Sequence, residues 1–388
     1  MLDKVSSVCL QCELKTKIGG VFMTDELIVR GAPAEYSCGA GIWDTLPEHL
    51  ERRGLRRVLV LHGTKSWKAV KSKFPDLSNF DATYLEYGGQ VTYEARDLLA
   101  QQITADTNQA VIAVGGGKVA DLAKAAAFVA AVPVLILPTL AATCAAYTPL
   151  SVMYTSEGEM IRFEIFPVSS ALVLVDPEVI LASPKALMVA GIGDTLAKWY
   201  EADIVISQLP ERSVEIEIAA FAARKCRDDL LALSEAALLA MDRQELNAEF
   251  VKVVETNIML AGMVGGFGDK YGRTAGAHSI HDALTLLPGT HRLLHGMKVA
   301  YGILIQLVIE GRFAEINALL PFYQKLGLPY SLGGIGLEGV SKADLMRVSE
   351  RAAAPSEMIH LMPQDVDAAC VYQAFLALEE HVAKVEVL

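Results

Sequence analysis

The chain has 388 residues, which allows roughly two to three domains of about 150 residues and a core large enough to stand without disulfide staples. Acidic side chains outnumber basic ones by 46 to 34, and a formal net charge of −12 repels a phosphate backbone, so no nucleic-acid partner is expected. Although 52% of residues are apolar, the stretch Ala125 to Leu150 is broken by Pro133, Pro138 and Pro149, and no membrane span is expected.

Residues 1–22 carry neither the apolar run of a signal peptide nor an Arg-rich transit pattern, and read as an N-terminal extension of a cytoplasmic protein. Cysteines stand at 9, 12, 38, 144, 226 and 370. Only Cys9 and Cys12 form a CxxC, a weak zinc signal without a second pair, so reduced thiols are expected.

From Leu27 onward, near-continuous apolar runs of strand length alternate with amphipathic stretches. The runs are 27–30, 57–62, 82–86, 110–114 and 133–137; the helical pieces include Trp43–Arg53 and Tyr93–Thr104. Strands apolar on both faces and separated by helices predict an open parallel sheet covered on both sides. The segments 150–154 and 162–166 flank a turn-like SEGE, which predicts an antiparallel hairpin near the sheet edge. Beyond Asp176–Pro177 the apolar spacing becomes 3.6 residues and no convincing strand remains. The fold class is therefore α/β plus all-α, with an α/β domain over 23–177 and a helical domain over 178–388.

Two glycine motifs need separating. In AVIAVGGGKVADLAKAAA, Gly115, Gly116 and Gly117 follow a buried strand and open a helix, where backbone N–H groups and the helix dipole can cradle a pyrophosphate. The competing reading is a plain strand-to-helix turn. A literal GxGxxG at Gly334, Gly336 and Gly339 follows no apolar strand and lies in the helical half, so it is set aside. The glycines at 262, 265, 266, 268 and 272 are expected to permit close helix packing.

Four of eight histidines fall in AHSIHDALTLLPGTHRLLHGMK, at 278, 281, 291 and 295. On one straight helix, His278 and His295 would stand about 25 Å apart, but Pro288–Gly289 supplies a reversal that can bring them together. Imidazoles converging with a carboxylate make a catalytic metal arrangement with an open position. The best carboxylate is Asp194 in GIGDTLAKWYEA, read as standing at the start of an apolar helix, with an N-cap role as the alternative.

Together GGGKVAD (115–121), PTLAATCAAYTPLSVMYTSEGE (138–159), GIGDTLAKWYEA (191–202), AHSIHDALT (277–285) and LHGMKVAYG (294–302) resemble the glycerol dehydrogenase-like branch of the metal-dependent, iron-containing type alcohol dehydrogenases. The resemblance runs from about residue 25 to the C-terminus and is most similar to the hydroxycarboxylate dehydrogenase group. It implies a Rossmann-like dinucleotide domain and a helical metal domain of the dehydroquinate synthase type, with hydride transfer between them. It also implies that Asp194, His278 and His295 hold the metal. By the same resemblance Gly116, Gly117, Lys118 and Asp121 form the phosphate loop, and Thr139, Thr148, Leu150 and Tyr154 line the cofactor. His281 would serve as a proton relay, and a homo-oligomer acting on a small molecule is expected.

Three departures sharpen the expectation. Cys144 stands where glycerol dehydrogenases carry a substrate-contacting aspartate. Lys198 replaces the further histidine of iron-type relatives, which favours zinc over iron. Gly63 falls on the position of the acid that binds the ribose 2′-hydroxyl, with Thr64 and Lys65 adjacent, so NADP(H) is expected over NAD(H). Losing an anion at 144 and gaining a cation at 198 together favour a carboxylate next to the reacting carbonyl, so the expected reaction reduces 2-oxo acids to 2-hydroxy acids. The alternatives are glycerol, diol or aldehyde oxidoreduction, a related reaction on a substrate phosphate, and a non-catalytic nucleotide-binding protein.

Overall fold

Alternation along the strands builds the first half of the molecule. The computed structural model describes residues 27–385; the extension 1–22 and the Cys9–Cys12 pair lie outside the described residues. The strands are β1 (Tyr36–Cys38), β2 (Arg57–His62), β3 (Asp81–Glu86), β4 (Ala110–Gly115), β5 (Val134–Pro138), β6 (Leu150–Tyr154), β7 (Met160–Ile165) and β8 (Leu172–Val175). Six of them form a sheet in the order β1-β8-β5-β4-β2-β3, with parallel pairing throughout. Along β2 and β4, Val58, Val60, Ile112 and Val114 face one side, packed with Trp43, Leu46 and Leu50. Their neighbours Leu59, Leu61, Val111 and Ala113 face the other, where Leu99, Ile103 and Ala123 cover them. Side chains that alternate across a strand with period two thus feed two cores at once.

The helices covering the sheet are α1 (Leu46–Arg52) and α2 (Thr64–Val70) on one side, α3 (Tyr93–Ala105) and α4 (Gly117–Val129) on the other. As the sequence predicts, β6 and β7 pair antiparallel, but they form a two-stranded sheet of their own, with β6 packed against α4. Lys124 pins this hairpin down: its buried ammonium donates to the carbonyls of Ala145 (2.7 Å), Thr148 (3.1 Å) and Leu150, and pairs with Asp121 at 2.9 Å.

From Pro177 onward the regular structure of the described residues is helical: α5 (Pro177–Leu181), α6 (Lys185–Ile206), α7 (Val214–Arg243), α8 (Ala248–Glu255), α9 (Ala261–Gly268), α10 (Gly276–Leu284), α11 (His295–Ile309), α12 (Phe313–Leu326), α13 (Lys342–Ala352) and α14 (Ala368–Val385). Between α8 and α9 lies one π-helical turn, Thr256–Leu260, and the Pro288–Thr290 turn reverses the chain between α10 and α11.

Three sequence expectations need correcting. The run 27–30 is not a strand; Arg30 N donates to Gly266 O at 2.8 Å, so this segment lies along a helix that lacks a side chain there. The sheet instead gains β1 and β8, too short for periodicity to reveal. A helical stretch, Ala248–Tyr271, is long and apolar enough by length and composition to cross a membrane, which the proline-broken stretch had not suggested. Most of its apolar window is buried inside the protein, against α6, α7 and Tyr147.

Candidate active site

Parallel strands bring their C-terminal ends to one edge, and β4 is where the strand order turns, with β2 and β3 on one side and β5 and β8 on the other. Ligands of open α/β sheets bind at such a crevice. Gly115 ends β4, Gly116 caps α4, and Gly117 is its first residue. Side chains at the last two would crowd Leu140 (3.0 Å) and the Thr143 hydroxyl (3.2 Å), so the backbone is bare where a phosphate would approach. Beside this loop, Thr139 is buried and its hydroxyl has no hydrogen-bond partner among the described residues. Gly63 follows β2 and caps α2; a Cβ there would meet Ser66 Oγ at 2.7 Å and Val119, in the first turn of α4, at 3.5 Å, so the ends of β2 and β4 lie side by side. There the Thr64 hydroxyl donates to Glu86, the last residue of β3.

The other residues expected on this side do varied things. Lys118 donates to Gln90 at 3.0 Å and lies over the Tyr154 ring at 5.2 Å. Burial, helped by the Asp121 and Asp282 carboxylates, pushes the Tyr154 phenol up to about 12. Asp121 does not face the loop. Its buried carboxylate accepts from Val152 N (3.1 Å) and pairs with Lys124, so it anchors the hairpin. Thr148 donates to the Cys144 carbonyl at 3.4 Å, and Leu150 opens β6.

Across the cleft, three helices each deliver one side chain. Asp194 lies in the middle of α6, not at its start, so the N-cap alternative fails: its neighbours' N–H groups already serve the helix. His278 comes from α10, and His295 is the first residue of α11. Asp194 Oδ1 lies 3.1 Å from His295 Nε2 and 3.4 Å from His278 Nε2, and the donor atoms of all three fall within 4.8 Å of one another. Glycines make this possible. A Cβ on Gly296 would stand 1.8 Å from Ala190 O, and one on Gly193 2.5 Å from Gly296 O, so α6 and α11 cross backbone to backbone beside the two ligand residues.

Carboxylates stand behind the imidazoles. Glu201 Oε2 accepts from His278 Nδ1 at 2.6 Å, while Oε1 accepts from Ala275 N (2.7 Å) and His278 N (2.9 Å). His295 Nδ1 lies 2.9 Å from His281 Nε2, whose Nδ1 lies 2.8 Å from Asp282 Oδ1. With His295 Nε2 free of a proton, the chain has one consistent assignment: His295 Nδ1–H donates to His281, and His281 Nδ1–H donates to Asp282. Burial, with His295 alongside, lowers the His281 pKa to about 3, in keeping with a neutral ring. Sequence reading did not assign Glu201 or Asp282 here. The available signal for Glu201 was an acid seven residues after Asp194 in a buried helix. Of the four clustered histidines, His291 stays apart, its Nε2 2.9 Å from Thr285 O.

Lys198 sits one turn beyond Asp194 and is buried. Burial disfavours its ammonium, but the Asp194 carboxylate, helped by Glu201, raises its pKa above the usual value. It donates to Arg273 O at 3.2 Å and lies within 4 Å of no carboxylate among the described residues. Cys144 is buried enough to push its thiol up, with Lys198 the first of the charges opposing that shift.

Residues 33–177 match the family model described as iron-containing alcohol dehydrogenase. The chain is 37% identical over 348 residues to hydroxycarboxylate dehydrogenase A of Escherichia coli K12, covering 89% of this chain and 96% of that protein. This chain belongs to the iron-containing alcohol dehydrogenase family. It is also 35% identical to glycerol dehydrogenase of Thermotoga maritima, over 90% of this chain and 96% of that one. The crystal structure of Schizosaccharomyces pombe glycerol dehydrogenase superposes with a TM-score of 0.82 at 29% identity, covering 92% of each chain. Like other iron-containing alcohol dehydrogenases, it is an oxidoreductase acting on CH–OH groups. The donor set fits a divalent metal of this family. Ligand atoms around a tetrahedral zinc with bonds near 2.05 Å stand about 3.3 Å apart, and the two separations from Asp194 bracket that value.

Proposed function

We propose that the protein reduces small 2-oxo acids to 2-hydroxy acids, using a nicotinamide dinucleotide and one zinc ion held by Asp194, His278 and His295. When bound, the metal supplies a Lewis acid toward the substrate oxygen and the nicotinamide supplies the hydride. NADP(H) is preferred over NAD(H) in this reading, because Gly63 carries no acid and Lys65 stands two residues on. Zinc is preferred over iron because the residue one turn after Asp194 is a lysine whose raised pKa keeps it an ammonium, unfit as a fourth ligand.

The observation that carries the substrate assignment is the Lys198 ammonium: buried beside Asp194, held by one carbonyl, and without a directly paired carboxylate among the described residues. A buried cation with donors to spare suits an anion next to the reacting carbon. Cys144 favours the same substrate by placing a neutral, apolar group beside it. His281 has both ring nitrogens engaged, which supports a role in fixing the His295 ring and tautomer over direct proton relay to substrate.

A panel of 2-oxobutyrate, 2-oxoglutarate, glycerol and simple aldehydes, run on wild type and Lys198→Met, tests this reading. An oxo acid should be the best substrate, and the variant should lose at least about tenfold in kcat/KM for it while aldehyde turnover changes less. Better turnover of glycerol than of any oxo acid, or unchanged oxo-acid kinetics in Lys198→Met, overturns the assignment.

A further inference from the structure

Position 63 has no carboxylate, yet the structure places one beside it. Glu86 closes β3, its Cα paired in register with His62 at the end of β2, and its side chain is held by the Thr64 hydroxyl. Strands lie about 4.8 Å apart, and the carboxylate reaches the residue next to Gly63, so a negative charge from the neighbouring strand stands beside the vacant position. Glu86 is exposed and has no ion pair among the described residues. A Cβ on Gly63 would lie 3.5 Å from Val119 in the first turn of α4, and Lys118 of that turn reaches over to Gln90 in the loop following β3. The ends of β4, β2 and β3 lie side by side in that order, so a dinucleotide with its pyrophosphate on the glycine loop after β4 would lay its adenosine end toward β2 and β3.

We propose that Glu86, anchored by Thr64, is a specificity-determining residue that accepts from the ribose 2′-hydroxyl and opposes a 2′-phosphate. This rests on the dinucleotide reading given above and refines it. Gly63 makes room for the 2′-phosphate and Lys65 partly neutralises it, while Glu86 sets how far the preference can go. Charge alone does this: a phosphate dianion a few ångströms from a carboxylate is repelled, and the neutral ribose hydroxyl instead gains an acceptor.

The test measures binding of two nucleotides without the reaction. Titration calorimetry gives Kd for 5′-ADP and 2′,5′-ADP on wild type, Glu86→Gln, Glu86→Asp and Thr64→Val at low ionic strength. Glu86→Gln should tighten 2′,5′-ADP about tenfold and leave 5′-ADP unchanged or slightly weaker. Glu86→Asp should keep most of the wild-type ratio, and Thr64→Val, which frees the carboxylate, should fall between. NADPH against NADH kcat/KM ratios should move in parallel. Because Glu86 is exposed, these changes leave the fold intact, and thermal unfolding verifies that. If Glu86→Gln moves both nucleotides equally or neither, the Glu86 assignment is wrong while the dinucleotide site stands. If neither nucleotide binds wild type, the dinucleotide reading falls and takes this assignment with it.

Discussion

Glu201 Oε2 and His278 Nδ1 lie 2.6 Å apart, and the same carboxylate also accepts the backbone N–H groups of Ala275 and His278. One buried acid thus fixes both the ring orientation of a candidate metal ligand and the N-terminus of the helix that carries it. Glu201→Gln keeps an acceptor for the backbone but removes the charge behind the imidazole. Metal affinity should fall about 10- to 100-fold, read by chelator competition, with little change in circular dichroism. Unchanged affinity would show that Glu201 serves α10 alone.

Metal uptake should depend on pH through His278. Burial pulls its proton affinity down, but Glu201 and Asp194 outweigh that and raise the pKa of the metal-free protein to about 9. A ligand nitrogen must be unprotonated, so uptake below this pKa displaces a proton. Apparent affinity should therefore rise by about tenfold per pH unit as pH climbs toward the His278 value and level off above it. An affinity flat from pH 7 to 9 would contradict the raised value.

Gly296→Ala should disrupt the crossing of α6 and α11, since its Cβ would stand 1.8 Å from Ala190 O and 3.0 Å from Asp194 N. Backbone, not a flexible side chain, is in the way, so a loss of about 3 kcal/mol in urea unfolding is expected, together with loss of bound metal. A variant of wild-type stability would mean that the helices can slide apart at no cost.

Thr139→Val separates binding from folding. The Thr139 hydroxyl is buried without a partner, so removing it deletes no hydrogen bond within the described residues and should leave stability equal or higher. If the hydroxyl instead awaits the dinucleotide, Kd for NADPH should weaken about tenfold by fluorescence titration. Unchanged nucleotide affinity would remove Thr139 from the binding surface.

The sequence was sufficient wherever local pattern and burial agree. Runs such as 57–62 and 110–115 are apolar on both faces because both faces are covered, and that requirement is written into consecutive residues. The glycine loop, the hairpin, the reversal at Pro288–Gly289 and the helical half were legible for the same reason. Residues 27–30 carried a strand-like composition but meet a glycine-lined helix, while β1, three residues long, exists only by pairing with β8. Position along a helix was also hidden: Asp194 reads as a beginning in the sequence and proves to be a middle. What the tertiary structure alone decided is which charges meet. Glu201 reaches His278 across 77 residues, Glu86 reaches Thr64 across 22, and Asp121 turns from the expected phosphate to Lys124 and Val152. Electrostatic partnership depends on distance in space and on burial, and neither follows from spacing along the chain once helices from different segments cross.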